Sequence, residues 1–162
     1  MYILYYMDDL RSILTGHGHN VFQYLKCLLD QCEKDKKMYS TILIEKTEGW
    51  LDICLNRPTF RNALSTEMVK ELLEVLETTK KESSIRGITL RGKDNIFCAG
   101  GDLKGFKTVF QNPNTDRCVI ENASIEIGEL LHVLNTMPQV VVTFVEGAAV
   151  AGGMGLMSCG DV

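Results

Sequence analysis

The chain has 162 residues, of which 45% are apolar and 23% charged, and its net charge is −4. This size and composition are typical of one globular domain with a real core and exclude a disordered chain. The excess of acidic over basic residues argues against a nucleic-acid partner, since that affinity depends mainly on basic residues at phosphates. No apolar run approaches the ~20 residues that cross a bilayer, so no membrane partner is expected.

Six irregularly spaced cysteines are too few for a disulfide scaffold, and they favour a reducing, cytoplasmic location. Residues 1–37 hold five acidic and five basic groups, lack the positive start of a signal peptide, and contain one predicted helix at 21–32. We expect 1–37 to be an N-terminal extension that is not part of the main fold, which we place at 38–162.

From Met38 onward, the pattern predicts alternating strands and helices. Two runs of alternating polarity, 41–46 and 51–55, flank Gly49 and predict a hairpin. Ser65 is a typical N-cap residue and precedes a helical stripe. The apolar residues of that stripe are Met68, Val69, Leu72, Leu73 and Leu76.

The second half continues the alternation. Ile88 and Leu90 lie on a predicted short strand, and a second helix is expected over 120–135. Its inward residues are predicted to be Ala123, Ile127, Leu130, Leu131 and Leu134. The continuous apolar run 140–145 predicts a strand covered on both faces, and a last helix is expected to start near Leu156. The whole pattern predicts an α/β fold with helices packed on a sheet.

Two glycine clusters, 97–103 and 147–155, are the most informative part of the sequence. Glycine lets a ligand approach the backbone and leaves N–H groups accessible, so two such loops can form an oxyanion hole. The alternative is that both clusters are tight turns that allow close packing. A dinucleotide-binding fingerprint is disfavoured because Ser158 stands where its third glycine is required. A phosphate-binding P-loop is excluded because no lysine directly follows a glycine in either cluster.

Three motifs, at 56–65, 97–104 and 145–162, resemble the enoyl-CoA hydratase/isomerase (crotonase) family in order and spacing. They read Asn-Arg-Pro-Thr-Phe-Arg-Asn-Ala-Leu-Ser, Phe-Cys-Ala-Gly-Gly-Asp-Leu-Lys, and Val-Glu-Gly continuing through Gly-Gly to Asp-Val. The resemblance implies a crotonase-like spiral of ββα turns, truncated before its C-terminal helices, with 38–162 as the N-terminal part of an acyl-CoA-binding domain. It also implies a homotrimer or hexamer for the full-length domain.

The resemblance places two backbone donors to a thioester enolate at Gly101 and Gly152. It places contacts to the acyl-CoA at Arg61, Ala63, Cys98, Ala99, Gly100 and Leu103. Asp102 is expected to have a structural role in the same loop. Coenzyme A is then part of the substrate, so neither a separate cofactor nor a metal is expected.

This sequence departs from the two-glutamate hydratases of the family. Gly155 stands where the first acid–base glutamate is expected, the second is expected beyond Val162, and Val140 replaces a usual proline. The segments 137–139 (Met-Pro-Gln), 145–147 (Val-Glu-Gly) and 152–155 (Gly-Gly-Met-Gly) look closest to the isohexenylglutaconyl-CoA hydratases of terpene catabolism and the methylglutaconyl-CoA hydratases of leucine catabolism. We therefore expect a hydratase that adds water to a 2-enoyl-CoA. The alternatives are an enoyl-CoA isomerase and a non-catalytic acyl-CoA-binding module.

Other signals are weaker. Tyr-Met-Asp-Asp at 6–9 resembles a polymerase motif but lacks a basic channel, and the histidines and cysteines of 17–32 fit no zinc spacing. Cys98 has no evident partner base for a nucleophilic role, so a buried packing role is expected. Three polar residues of the second helix are possible acid–base groups, but a solvated helix face is favoured. They are Glu126, Glu129 and His132.

Overall fold

A computed structural model describes residues 38–105, 107 and 118–162 of the chain. The predictions for the N-terminal extension lie outside the described residues. Tyr39–Val162 form one compact unit. Its strands are β1 (Ile42–Thr47), β2 (Trp50–Leu55), β3 (Gly87–Gly92) and β4 (Val140–Phe144). Its helices are α1 (Thr66–Lys80), α2 (Cys118–Asn135) and α3 (Gly152–Ser158), with a short 3-10 turn at Pro58–Phe60.

The four strands form one sheet in the order β1-β2-β3-β4. The first two strands pair antiparallel, and β2, β3 and β4 run parallel to one another. The predicted hairpin is confirmed, and Gly49 turns it with a φ of 76°, a left-handed value that favours glycine. The predicted α/β class is confirmed as well.

Helix α1 begins where the sequence predicts. The Ser65 hydroxyl accepts a hydrogen bond from the Met68 amide at 3.2 Å, which satisfies one of the free donors of the first turn. The buried face of α1 consists of Met68, Val69, Leu72, Val75, Leu76 and Thr79. Each large apolar side chain buried in this way contributes about 1.5–3 kcal/mol through the hydrophobic effect. The predicted stripe therefore anchors α1 on the sheet.

The core lies between the sheet and helices α1 and α2. Strand residues Ile53, Ile88 and Val141 point into it and are each about 1% exposed or less. From α2, the core receives Leu130, Val133 and Leu134. The prediction that β4 is covered on both faces is wrong, because Val140 is 49% exposed and lies on the opposite face from Val141. Within the described residues, both packed helices lie on a single side of the sheet.

The start of α3 also differs from the prediction. The helix begins at Gly152, four residues before Leu156, where the sequence pattern placed it. Glycines have poor helix propensity, so the pattern predicts a loop there. Packing against the neighbouring loop, described below, determines the helix start instead. Across the described ranges, no helix has the length and apolar character needed to cross a membrane.

The Glu71 carboxylate ties the segment before β1 to helix α1. It accepts hydrogen bonds from the amides of Ser40 (2.7 Å) and Thr41 (2.9 Å) and from both hydroxyls. Burial favours the neutral form of Glu71, but these donors outweigh it and hold its pKa below the usual value. Because the folded-state pKa is lowered, this stabilisation is present above about pH 4.3 and is lost as the pH falls through the folded value.

We expect Glu71→Gln to lower the free energy of unfolding by about 1–2 kcal/mol at pH 7, because an amide replaces an ionised acceptor. The difference from the wild type should shrink at pH 3, because the carboxyl of the unfolded chain is protonated there and the stability that comes from the lowered folded-state pKa is being lost. Urea denaturation at both pH values measures this. The control is Glu77→Gln on the exposed side of α1, with a change within about 0.5 kcal/mol. An equal Glu71→Gln effect at pH 7 and pH 3 would contradict the assignment.

Candidate active site

Three loops follow the carboxyl ends of the parallel strands β2, β3 and β4, and they pack side by side. The first pair of contacts joins the loop after β2 to the loop after β3. The Leu64 amide donates to the Gly100 carbonyl at 2.7 Å, and the Leu64 carbonyl accepts from the Asp102 amide at 3.0 Å. One residue earlier in the loop after β3, the Ala99 amide donates to the Arg61 carbonyl at 3.0 Å. The two loops therefore run in parallel, with Gly101 opposite Leu64.

This pairing determines the direction of the Gly101 amide. In a planar trans peptide, the C=O and N–H groups point in opposite directions. The Gly100 carbonyl is held by the Leu64 amide, so the Gly101 N–H of the same peptide unit points away from Leu64. That direction faces the third loop.

The loop after β4 lies on this opposite side. The Cys98 amide donates to the Ala148 carbonyl at 3.1 Å, and the Cys98 carbonyl accepts from the Val150 amide at 3.0 Å. These bonds bring the start of α3 next to Gly101. A methyl group on Gly152 would lie 3.8 Å from the Gly101 nitrogen. The structure therefore brings together the two glycines that the sequence analysis singled out.

Neither amide has an acceptor among the residues that the structure describes. Gly152 is the first residue of α3, so its N–H has no partner within the helix. Two adjacent N–H groups without acceptors can stabilise a single oxygen atom that gains negative charge. This is the chemistry that the geometry offers.

The alternative interpretation of the glycines, close packing, also holds at two positions. Gly100 has a φ of 88°, and a methyl group there would lie 2.8 Å from the Val150 carbonyl oxygen. A methyl group on Gly153 would lie 2.3 Å from the Cys98 carbonyl oxygen. Both distances are too short for a side chain, so these glycines let the two loops approach. The same clusters thus provide close packing and accessible amides.

Ala151, immediately before Gly152, has a φ of 48° and a ψ of −115°. A residue with a side chain adopts this left-handed region at a cost of about 1–3 kcal/mol, and such strain is common where a backbone is held for function. The strained residue determines the direction in which the chain enters α3. The sequence contains no signal for this strain, because alanine itself does not indicate a positive φ.

The residues predicted to contact an acyl-CoA fall into two groups. Arg61 and Leu103 have exposed side chains at the edges of the paired loops, and Ala99 is half-buried. Ala63, Cys98 and Gly100 are buried. Contact of these residues with a ligand stays a prediction. Burial raises the pKa of the Cys98 thiol, which keeps it protonated at neutral pH and disfavours a nucleophilic role.

Arg57 was given no role by the sequence analysis, yet it braces the site. One guanidinium nitrogen donates to the Ala63 carbonyl at 2.7 Å, and another bonds the Asp102 carboxylate at 2.8 Å. The guanidinium also lies 4.6 Å from the centre of the Phe60 ring. The position of Arg57 in the first motif was the available sign that it matters. Its partner Asp102 lies 45 residues away, so the sequence does not reveal the ion pair.

The Asp102 carboxylate receives donors on both oxygens. Besides Arg57, the amides of Lys104 (3.2 Å) and Gly105 (3.1 Å) donate to it. Burial favours the neutral form of Asp102, but the bonds from Arg57 and these amides outweigh burial and lower the pKa of Asp102. The carboxylate is therefore ionised at neutral pH, in keeping with the structural role expected for it.

Asn62 links the first loop to the turn that follows β3. Its side-chain amide donates to the carbonyls of Lys93 (3.0 Å) and Ile96 (2.6 Å), and its oxygen accepts from the Arg57 amide at 2.9 Å. Asn62 is fully buried and has a φ of 52°. These hydrogen bonds fix the segments that lead to the site, and none of them involves the amides of Gly101 or Gly152.

Helix α2 packs against α3 near the site. A methyl group on Gly155 would lie 3.0 Å from a Leu131 methyl, so the absence of a side chain lets the two helices approach closely. Glu129 and His132 are exposed, as expected for a solvated face. Glu126 differs: it is half-buried, and one carboxylate oxygen lies 3.7 Å from the Lys70 amino group on α1. In residues 38–105, 107 and 118–162, no group of three or more His, Cys, Asp or Glu side chains is placed to hold a metal ion.

Comparison with known proteins shows which sequences and structures this chain is similar to. A family model described as Enoyl-CoA hydratase/isomerase matches residues 45–162. A probable enoyl-CoA hydratase of Mycobacterium leprae, echA6, is 33% identical over 120 residues, which cover 72% of this chain and 44% of that protein. The chain therefore spans less than half the length of this curated relative.

Solved structures also resemble this chain. Pseudomonas aeruginosa AtuE is 41% identical with a TM-score of 0.72, and the match covers 76% of this chain and 46% of that one. An enoyl-CoA hydratase/isomerase from Marinobacter aquaeolei is 33% identical with a TM-score of 0.69, covering 75% of this chain and 47% of the other. The described fold therefore corresponds to about half of these structures.

Proposed function

The chain belongs to the enoyl-CoA hydratase/isomerase (crotonase) family and has the corresponding fold, and from this premise we propose that it binds an acyl-CoA thioester. In this proposal, the amides of Gly101 and Gly152 donate together to the thioester oxygen. The observation that carries the proposal is that these amides are neighbours without acceptors among the described residues.

The proposed reaction is the addition of water to the β-carbon of a 2-enoyl-CoA. As the oxygen of water bonds to the β-carbon, the water gives a proton to a carboxylate base, and electrons move through the conjugated system to the thioester oxygen to form an enolate. The enolate then takes a proton at its α-carbon, which restores the thioester carbonyl and completes the addition of water. Two pre-oriented N–H groups lower the energy of that enolate without reorganising. In known enzymes, the loss of one such donor reduces the rate by roughly 10²–10³.

The substrate class follows from the same resemblance. The motifs at 137–139, 145–147 and 152–155 favour a branched glutaconyl-CoA. Arg61 and Leu103, which flank the paired loops with exposed side chains, are proposed to contact the coenzyme A portion. Assembly as a trimer or hexamer is part of the proposal for the full-length domain.

The test is a calorimetric titration of the 162-residue chain with two ligands, butanoyl-CoA and its thioether analogue, in which a CH₂ replaces the carbonyl. Two hydrogen bonds of about 1 kcal/mol each predict that the thioester binds about 30-fold more tightly. Equal affinities would refute the oxyanion hole, and the absence of binding by both would refute the acyl-CoA proposal.

A parallel assay follows the absorbance of a 2-enoyl-CoA as water adds to its double bond. Loss of absorbance with a hydrated product supports a hydratase. A shifted double bond without added water supports the isomerase alternative. Thioester-selective binding with no turnover favours an acyl-CoA-binding module, for which the side-chain-free position Gly155 is the supporting observation.

A further inference from the structure

We infer that Arg57 is a positioning residue that fixes the direction of the Gly101 amide through Asp102 and the Ala63 carbonyl. The inference rests on the proposed function, because it concerns the same pair of amides. Arg57 contacts neither of the amides, so it acts only through its neighbours.

A path of hydrogen bonds connects Arg57 to both sides of Gly101. Arg57 donates to the carbonyl of Ala63, the residue immediately before Leu64, and to the side chain of Asp102, the residue immediately after Gly101. Between these two points, Leu64 bonds both Gly100 and Asp102. Arg57 therefore holds the chain on both sides of the peptide unit that carries the Gly101 N–H.

The ion pair between Arg57 and Asp102 is largely buried. The side chains of Arg57 and Asp102 are only 16% and 14% exposed, so solvent weakens their attraction less than it weakens a surface pair. Rotation of the peptide between Gly100 and Gly101, which carries this N–H, would break the hydrogen bond from the Leu64 amide to the Gly100 carbonyl. Arg57 opposes that rotation from both sides, because it holds the Ala63 carbonyl just before Leu64 and the Asp102 carboxylate just after Gly101. The Gly101 amide thus has little freedom to turn.

The shape of the guanidinium group also matters for this position. A guanidinium can serve both acceptors at once because its nitrogens diverge in one plane, whereas an ammonium is a point donor. Arg57 uses two different nitrogens for Ala63 and Asp102. Lysine at this position keeps the charge but cannot reach both acceptors in the same geometry.

The chain also offers a matched control. Arg91 and Asp52 form an ion pair of the same length, 2.8 Å, between β2 and β3 and away from the three loops. The substitution Asp52→Asn removes that pair and leaves the loops unchanged. It therefore reports the effect of losing a surface-facing ion pair alone.

The test compares Arg57→Lys with Asp52→Asn in the thioester and thioether titration. We expect Arg57→Lys to reduce the roughly 30-fold thioester preference to about threefold while the thioether affinity changes less than twofold. Asp52→Asn should keep the full preference. A second readout is the absorption maximum of bound cinnamoyl-CoA, which moves to longer wavelength when its carbonyl is polarised. This shift should be lost in Arg57→Lys and kept in Asp52→Asn.

A second variant, Asp102→Asn, covers the case in which Arg57→Lys does not fold. It keeps the size of the side chain and removes its charge, and a drop of about threefold in thioester preference is expected. Full preference in a folded variant of Arg57 or Asp102 would overturn the inference. Equal weakening of both ligands would also overturn it, because it would indicate a direct ligand contact. If the wild type shows no preference, the proposed function itself has failed.

Discussion

Gly152→Ala is expected to remove the roughly 30-fold preference for a thioester while the protein stays folded. The added methyl would lie 3.8 Å from the Gly101 nitrogen, in the space where the thioester oxygen is proposed to bind. Its closest contact, 3.2 Å, is a Leu64 side-chain methyl that can shift by a few tenths of an ångström. Alanine also has a helix propensity about 1 kcal/mol better than that of glycine. Titration with the two ligands, together with thermal denaturation, measures both effects.

Gly128→Ala is the matched control for this experiment. Gly128 is exposed on α2, and a methyl group there would meet no atom within 4 Å. We expect this variant to keep the thioester preference and to gain about 0.5–1 kcal/mol of stability. Any turnover by the wild type should fall roughly 10²–10³-fold in Gly152→Ala and stay unchanged in Gly128→Ala. A Gly152→Ala protein with the wild-type preference would remove the basis for the proposed function.

Gly153→Ala is expected to lower the free energy of unfolding by about 3 kcal/mol, the upper part of the range for overpacking. The new methyl would lie 2.3 Å from the Cys98 carbonyl oxygen and 2.9 Å from the Cys98 β-carbon. Backbone atoms cannot turn aside as a side chain can, so α3 and the loop after β3 would have to separate. Urea denaturation followed by circular dichroism gives the free energy.

Gly155→Ala on the same helix separates packing from helix propensity. The three atoms nearest to its methyl would all be Leu131 side-chain carbons, the closest at 3.0 Å. We expect the free energy of unfolding to change by no more than about 1 kcal/mol, because a leucine side chain can adjust. If Gly153→Ala were as mild as Gly155→Ala, the close approach of α3 to Cys98 would not be what determines where the helix starts.

Much of the fold could be predicted from local signals. The Ser65 cap and the apolar stripe of α1 both depend on neighbours within a few residues, and so does the hairpin turn at Gly49. The faces of β4 could not be predicted, since an apolar run does not reveal which sides are covered. The start of α3 depends on Cys98, more than 50 residues earlier, and glycine-rich sequence by itself indicates a loop.

The candidate site was predictable in part. Composition and spacing left the glycine clusters open between tight turns and an oxyanion hole, and only the family resemblance singled out Gly101 and Gly152. Their proximity could be seen only once the strands were paired. Arg57 was missed because an arginine beside a proline gives no sign of a partner 45 residues away. The strain at Ala151 leaves no mark on the sequence.

The three loops of the site are joined by two long excursions of the chain, because β2, β3 and β4 are parallel neighbours. Closing such long connections lowers the conformational entropy of the chain, and no local contact offsets this loss. Parallel strand pairings therefore form late and slowly. The proximity of the Gly101 and Gly152 amides therefore depends on both parallel pairings, and we expect thioester selectivity to appear at the last ordering step of the sheet during refolding.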